Sequence, residues 1–466
     1  MADWLRIYHR LPYPLRALAA SSRGYYLRWW RYGPETDRLV EEALERDTWS
    51  LKRLQDWQRE RLVYVLRRAA TKVPYYREYW RQRRLGGDRS SWDYLENWPV
   101  LKKEELRQNP TAFVADDCQI SHMFHEHTSG STGKPLDLWW GLATVRSWYA
   151  LFEARIRRWY GISRHDRWAN LGGQLVTPFS QTTPPFWVWN YGLNQLYMSS
   201  YHLSPENVPA YLEAMRRHKV VYMWGYASAM HALAQTALER NLKAPKLMVA
   251  ISNAEPLYEH QRQKISQVFG CPVRETYGMA EIVGDASDCQ EHSLHLWPEV
   301  GLVEVFQDHH DTAALPGQTG RLIGTGILNA DMPLIRYEVG DRGVLAEETL
   351  GCACGCNLPM LQKVEGRLDD VIVTPDGRRV GRLDTVFKAD LSIREAQVIQ
   401  ESLEKIRLRV VPAPGYDREQ GSVIIQRLRD RVGQMEIVLD LLDHIPRSSN
   451  GKFRAVISQV KPLTIP

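Results

Sequence analysis

The sequence predicts an α/β protein with a large N-terminal domain of β-sheets and packed helices, followed by a small α+β domain. Three observations predict it. Short β-branched or aromatic runs alternate with helical stretches such as NVPAYLEAMRRHK (207–219) and ASAMHALAQTALERN (227–241), the alternation that layers helices on a sheet. A chain of 466 residues with 44% hydrophobic content buries a large core and exceeds one simple domain. Between about Glu41 and Arg84 the chain is charged and helical, with apolar residues three and four apart until Pro74 breaks the pattern, so a helical subdomain is expected over about residues 1–100.

Residues 1–33 stand apart, with six arginines, eight Trp or Tyr residues and Asp3 as the sole acid. Such interleaving suits an anionic membrane surface or a polyanion, because rings settle at an interface while guanidiniums reach phosphate. The alternative is an arm packed on the domain behind it. A dedicated nucleic-acid binder is not expected, since 55 acidic residues nearly balance 60 basic ones, for a net charge of +5. No apolar run approaches bilayer length and arginines interrupt the N-terminus, so neither a spanning helix nor a signal peptide is expected and the expected location is cytoplasmic. Six cysteines in so long a chain are no disulfide framework.

The stretch HTSGSTGKPL (127–136) concentrates hydroxyls, glycines and one lysine: Thr128, Ser129, Gly130, Ser131, Thr132, Gly133 and Lys134. A loop of this kind offers many N–H and O–H donors to a phosphate. It is not a Walker loop, which needs four residues between its glycines and Ser or Thr after the lysine. Here two residues separate Gly130 from Gly133, and Pro135 follows Lys134. Proline disfavours helical geometry before it, so the loop should join two strand-like runs, HMFHE (122–126) and LDLWW (136–140). A plain hairpin turn is the alternative. Downstream come ETYGMAE (275–281), YEVGD (337–341), VEGRLDD (364–370) and IPRSSNGKFR (445–454). An aromatic beside glycine, a lone Asp after glycine and a late Gly-Lys suit an adenine face, ribose hydroxyls and developing negative charge.

In this order the motifs resemble the adenylate-forming superfamily of acyl-CoA synthetases, within it the phenylacetate-CoA ligase-like family, and its branch met beside capsular polysaccharide genes. The resemblance runs from about Trp57 to Lys461. It implies the adenylate-forming fold, divided as residues 1–367 and a mobile 368–466. It implies that residues 128–134 form the phosphate loop, and that SNAEPL (252–257) lines the adenine and acyl sites with Asn253, Ala254, Glu255 and Pro256. Thr276, Tyr277 and Gly278 would frame adenine, Glu281 would hold Mg²⁺, Asp341 would bind ribose, and Arg367 would lie near ribose or phosphate. Asp369 would be the hinge and Lys452 would bridge the carboxylate and α-phosphate. GYAS (225–228) makes Tyr226 a candidate for the acyl pocket. Many relatives read Tyr-Arg-Thr-Gly-Asp where this chain has Glu338 and Val339, which puts a role for that Arg in doubt.

The implied reaction is activation of a carboxylic acid by ATP to an acyl-adenylate with loss of pyrophosphate, followed by transfer to CoA. Two anions must meet, so the site needs Mg²⁺ and a lysine; no catalytic triad is needed, and no G-x-S-x-G elbow is present. Transfer to an amine, a sugar or a carrier protein is the first alternative, and a non-catalytic envelope-complex partner keeping only the fold is the second. Glu281, Asp341 and Lys452 speak against that last reading.

Cys289 and His295, with five residues between them, and Cys352 and Cys354 some sixty residues on supply three thiolates and an imidazole, the set of a closed structural zinc site; some members of the family carry this pattern. Cys356 is the reserve ligand, His292 is expected in solvent, and plain buried cysteines are the alternative. His125 and His127 are read as structural strand residues, and His309 and His310 as solvated.

Overall fold

The computed structural model describes residues 2–127, 136–178, 180–347, 351–367, 372–375, 379–380, 383, 386, 391–447 and 453–460. The chain opens with α1 (Ala2–Arg10), α2 (Tyr13–Arg31), α3 (Thr36–Arg46), α4 (Leu51–Lys72) and α5 (Pro74–Leu85). Ser50 caps α4 by accepting from the Arg53 amide at 3.3 Å. Pro74 ends it as expected: Val73 turns extended, and the proline takes the first position of α5, where its missing N–H costs no helical bond. The α4 face Val65, Leu66, Ala69 and Ala70 is buried in one core with Tyr76, Trp80, Trp98 and Phe113, the three-and-four spacing that the sequence shows.

After the short α6 (Lys103–Gln108) come β1 (Phe124–His127), β2 (Asp137–Trp140) and α7 (Leu142–Phe152). β1 and β2 pair antiparallel with His127 opposite Asp137, so strands flank the serine- and glycine-rich loop as expected. The loop residues 128–134 themselves lie outside the described residues. Next are β3 (Trp168–Gly172), β4 (Trp187–Asn190), β5 (Gln195–Ser199), α8 (Val208–Arg217), β6 (Tyr222–Gly225), α9 (Ala227–Glu239), β7 (Val249–Ser252) and α10 (Glu259–Phe269). Gly270 closes α10 in the left-handed region at φ 60°, its amide donating to the Ser266 carbonyl. Then follow β8 (Val273–Tyr277), β9 (Ala286–Asp288), β10 (Leu294–Leu296), β11 (Gly301–Phe306), β12 (Gly320–Gly326), β13 (Tyr337–Leu345) and β14 (Met360–Arg367). The chain ends with β15 (Ile372–Val373), β16 (Arg379–Val380), β17 (Ile393–Gln400), β18 (Lys405–Pro412), α11 (Arg418–Val432), β19 (Glu436–Leu441) and β20 (Val456–Ser458).

Two compact units divide these elements. One comprises residues 1–168, 188–195 and 274–364; the other comprises 169–187, 196–273 and 365–466. In the first, strands run in the order β11-β12-β13-β14-β10-β9-β8, with antiparallel β11–β12, β12–β13 and β9–β10 pairs. In the second, β7-β6-β3-β5 follow one another; β6 and β7 are parallel, as crossover helix α9 requires. That unit also holds the sheet β19-β18-β17-β20, where α11 buries Ile424 and Leu428 against Val398, Ile406 and Leu408. No helix among the described residues is long and apolar enough to cross a membrane.

Candidate functional site

In the first unit, β8 carries Thr276 and Tyr277 to the edge of a turn, and β9 fixes its register by pairing Thr276 with Ser287 and Tyr277 with Ala286. The Tyr277 hydroxyl donates to Asp341 Oδ2 at 2.9 Å. Burial first, then the Asp341 carboxylate, push the phenol well above its ordinary range, so it stays a proton donor. Gly278 follows where a Cβ would stand 2.7 Å from Asp285 Oδ1 and would have to displace that carboxylate. Asp285 holds the turn by accepting from the Met279 amide at 3.3 Å and from Trp148 Nε1 at 2.6 Å. Burial raises its pKa to about 7 despite those two donors, and nearby Glu281 adds to the rise.

Glu281 is buried at 9% exposure. Its Oε1 accepts from the Tyr337 hydroxyl at 2.9 Å and lies 3.3 Å from Lys103 Nζ, at the start of α6. Both bonds fall on one oxygen, so the other can face a cation. Tyr337 and Lys103 are site residues that sequence reasoning missed. Tyr337 stands at the head of YEVGD, but nothing local marks its reach to Glu281; LKKEEL (101–106) offers only two lysines before an acidic helix. Glu338, where the resemblance implies an arginine, receives Lys102 Nζ at 2.8 Å and Arg321 Nη1 at 2.6 Å. It ties β13 to β12 and to the entry of α6, a structural use for the departure from the common motif.

The second unit holds the SNAEPL residues. Asn253 follows β7 directly; its backbone amide donates to the Gly225 carbonyl at 3.0 Å. With its amide assigned by its neighbours, its side-chain nitrogen donates to the same carbonyl at 2.9 Å and its oxygen accepts from Trp224 Nε1 at 2.9 Å. Ala254 takes φ 61°, a left-handed conformation unusual for a residue with a Cβ, and it turns the chain sharply toward Glu255 and Pro256. Glu255 accepts from the Ser228 amide at 2.9 Å and the Phe453 amide at 2.7 Å. Desolvation outweighs these donors and raises its pKa. Tyr226 precedes α9, its phenol pushed up to about 12 by burial and then by the Glu255 charge. Arg367 ends β14. Its side chain, Asp369 and Lys452 lie outside the described residues, although Phe453, the neighbour of Lys452, is held by Glu255.

The cysteine group is compact. Ligand atoms of Cys289, His295, Cys352 and Cys354 all lie within 4.8 Å of one another. Cys289 and Cys352 Sγ stand 3.7 Å apart, too far for a disulfide and close to the ~3.8 Å edge of a tetrahedron with ~2.3 Å Zn–S bonds. His295 Nδ1 lies 3.2 Å from the Leu358 carbonyl, which can only accept. The proton therefore belongs on Nδ1, leaving the Nε2 lone pair toward Cys354 Sγ at 3.4 Å. Burial lowers the His295 pKa and keeps the ring neutral, as a ligand must be. Cys356 is not in the quartet: its backbone amide donates to Cys354 Sγ at 3.4 Å. The loop is tied to the end of α3 by the Asn357 amide on the Asp47 carbonyl at 2.9 Å. His292 is more than half exposed, and His309 and His310 are exposed. His125 Nε2 meets Asp137 Oδ1 at 2.8 Å and stacks on Trp139, a cross-strand structural role.

Residues 55–323 match the AMP-binding enzyme family and residues 372–459 the CapK C-terminal domain. Protein CapK of Staphylococcus aureus is 24% identical over 98% of this chain and 99% of its own length. The phenylacetate-coenzyme A ligase of Thermus thermophilus is 26% identical over 91% and 99%. The fold matches the crystal structure of 2-hydroxyisobutyryl-CoA ligase in the postadenylation state, in complex with R3-HIB-AMP, with a TM-score of 0.68 at 19% identity, over 89% of this chain and 91% of that one. The chain belongs to the AMP-binding enzyme family: it is an adenylate-forming, AMP-forming acid ligase of the phenylacetate-CoA ligase-like kind, on the branch that bears the CapK C-terminal domain.

Proposed function

We propose that the protein joins a carboxylic acid to AMP with loss of pyrophosphate and then transfers the acyl group to CoA. The observation that supports this best is the grouping in one unit of the Tyr277–Asp341 pair with the buried carboxylate of Glu281, whose two bonds, from Tyr337 and Lys103, fall on one oxygen. In this reading Asp341 accepts from the ribose hydroxyls, the Tyr277 ring covers one adenine face, and Gly278 lets the base approach the turn. Glu281 would hold Mg²⁺, a hard cation suited to an ionised oxygen; when bound, the ion would supply charge neutralisation at the triphosphate. Tyr337 orients that carboxylate and Lys103 balances its charge. Asn253, Ala254, Glu255 and Pro256 would border the adenine and acyl groups, with Tyr226 beside the acid, residues 128–134 on the phosphates, and Arg367 near ribose or phosphate. The division at 367/368 with its pivot at Asp369 belongs to the same reading, and the CapK C-terminal match over 372–459 supports it.

The cysteine quartet would hold one structural zinc, since three thiolates and a neutral imidazole leave no position open for substrate. The test of function is acid-dependent ATP–pyrophosphate exchange over aryl, fatty and sugar acids, then AMP release with and without CoA. Exchange with some acid is expected, weakened at limiting magnesium by Glu281→Gln. AMP release that needs an amine, sugar or carrier protein in place of CoA would move the acceptor, and no exchange with any acid would remove the reading.

A further inference from the structure

Helix α2 is apolar on the wrong side for a helix that only packs. Its inner face carries Arg16, Ser21, Gly24 and Trp30, all buried; the Ser21 hydroxyl accepts from the Tyr191 amide at 3.1 Å, and a Cβ on Gly24 would collide with Asn190. Close approach to residues 190–192 is thus met by the residues that a tight contact requires. At 100° per residue, Leu15, Leu18, Tyr25, Tyr26 and Trp29 fall on one stripe opposite that face. All five are exposed, from 47% for Leu15 and Tyr26 to 63% for Leu18. Of the fifteen large hydrophobic side chains exposed among the described residues, seven lie between Leu5 and Trp29, so the exposure is concentrated there rather than scattered.

The same segment is cationic. Arg10, Arg23 and Arg28 are exposed, and the described residues offer none of them a carboxylate partner. Beside the C-terminal half of α2 opens a cavity of about 380 Å³, lined by Arg28, Arg31, Arg157, Arg164, Trp29 and Trp168 among others. Glu153 and Asp37 pair with Arg157 and Arg164, whereas no ion pair to Arg28 or Arg31 is formed among the described residues. Two guanidinium charges are left facing a recess walled by rings.

We infer that α2 and this recess dock the protein on an anionic lipid bilayer, the Leu, Tyr and Trp stripe lying in the headgroup region and the arginines meeting lipid phosphates. A bilayer fits both features at once: leucines gain from the acyl boundary, Trp and Tyr from the interface, and Arg from negative headgroups. A polyanion would leave Leu15 and Leu18 without a partner. A second copy would bring like-charged arginines together. The inference is independent of the reaction proposed above.

Full-length protein should be floated with vesicles of phosphatidylcholine alone and with about one-third phosphatidylglycerol. Binding is expected to the anionic vesicles only, to fall with salt, and to drop at least about tenfold in Leu18→Glu/Trp29→Glu. Arg23→Ala/Arg28→Ala, which leaves the stripe intact, should weaken it several-fold. A thermal melt confirms that each variant folds, and the arginine pair decides if the first does not. Equal or no binding to both vesicles, or unchanged binding by folded variants, overturns the inference. So does a concentration-dependent dimer in sedimentation that Leu18→Glu/Trp29→Glu dissociates, or nucleic-acid binding that outcompetes the vesicles.

Discussion

Tyr277 and Asp341 are joined by a 2.9 Å hydrogen bond from phenol to carboxylate, across 64 positions of sequence. Tyr277→Phe keeps the ring and removes the donor, so the KM for ATP in pyrophosphate exchange should change less than about tenfold. Asp341→Asn removes a charged acceptor and should raise it by ~10–100-fold, the worth of one charge-assisted bond at ~1.5–3 kcal/mol. An unchanged ATP KM in Asp341→Asn would take this residue away from the nucleotide.

The quartet of Cys289, His295, Cys352 and Cys354 should bring one zinc per chain into protein purified without chelator. Because zinc binding is folding free energy and the loop is tied to α3 through Asn357, Cys352→Ser should lose the metal and lower Tm by about 5 °C or more, with acid preference unchanged. Cys356→Ser, which keeps the donating amide, should retain it. A metal-free wild type with a Tm equal to that of Cys352→Ser would return these side chains to plain packing.

Asp285 gives stability a pH signature. Its folded pKa, about 7, lies above its unfolded 3.8, so the folded state favours the protonated acid. Its contribution is fully present below about pH 4, declines as pH rises, and is lost above about pH 7, by about 4 kcal/mol at most. Asp285→Asn cannot titrate. It should be less stable overall, because its amide N–H must face Trp148 or Met279, yet its urea stability should vary less between about pH 4 and pH 7. A wild-type slope preserved in the variant would show that another group titrates there.

Where structure follows local rules, the sequence is legible. Pro74 ends α4, Pro135 and the alternation around it imply strands on both sides of the loop, and the paired Cys and His spacings point to residues that do meet. Long-range polar choices are not local. Lys103 reaches Glu281 across 178 positions, and Glu338 finds Arg321 and Lys102 only because β12, β13 and the entry of α6 come together. Neither pairing leaves a periodicity or a motif. The grouping of residues 365–466 with 169–187 and 196–273 is likewise a matter of tertiary packing, absent from the linear order. The stripe on α2 is visible as spacing, but only burial tells that Arg16, Ser21, Gly24 and Trp30, not the leucines, face inward.

Lys452 is expected to separate the two half-reactions. The next residue, Phe453, donates its amide to Glu255 at 2.7 Å, and Arg447 sits near enough for its charge to act on the same carboxylate. Glu255 thus anchors the chain on the far side of the lysine, while β20 follows on a parallel register with β17. In the proposed reading the lysine meets the carboxylate and α-phosphate in one position of the C-terminal domain, where its charge favours the pentavalent phosphate. It should leave once AMP is ready to depart. Lys452→Ala should therefore abolish acid-dependent pyrophosphate exchange and leave transfer from a supplied acyl-adenylate largely intact. Glu255→Ala, which frees the Phe453 amide but keeps the lysine, should lower exchange by about 1–3 kcal/mol of barrier, roughly five- to a hundredfold. Equal loss of both half-reactions in a folded Lys452→Ala would contradict the domain rotation, and full exchange would remove the lysine from the reaction.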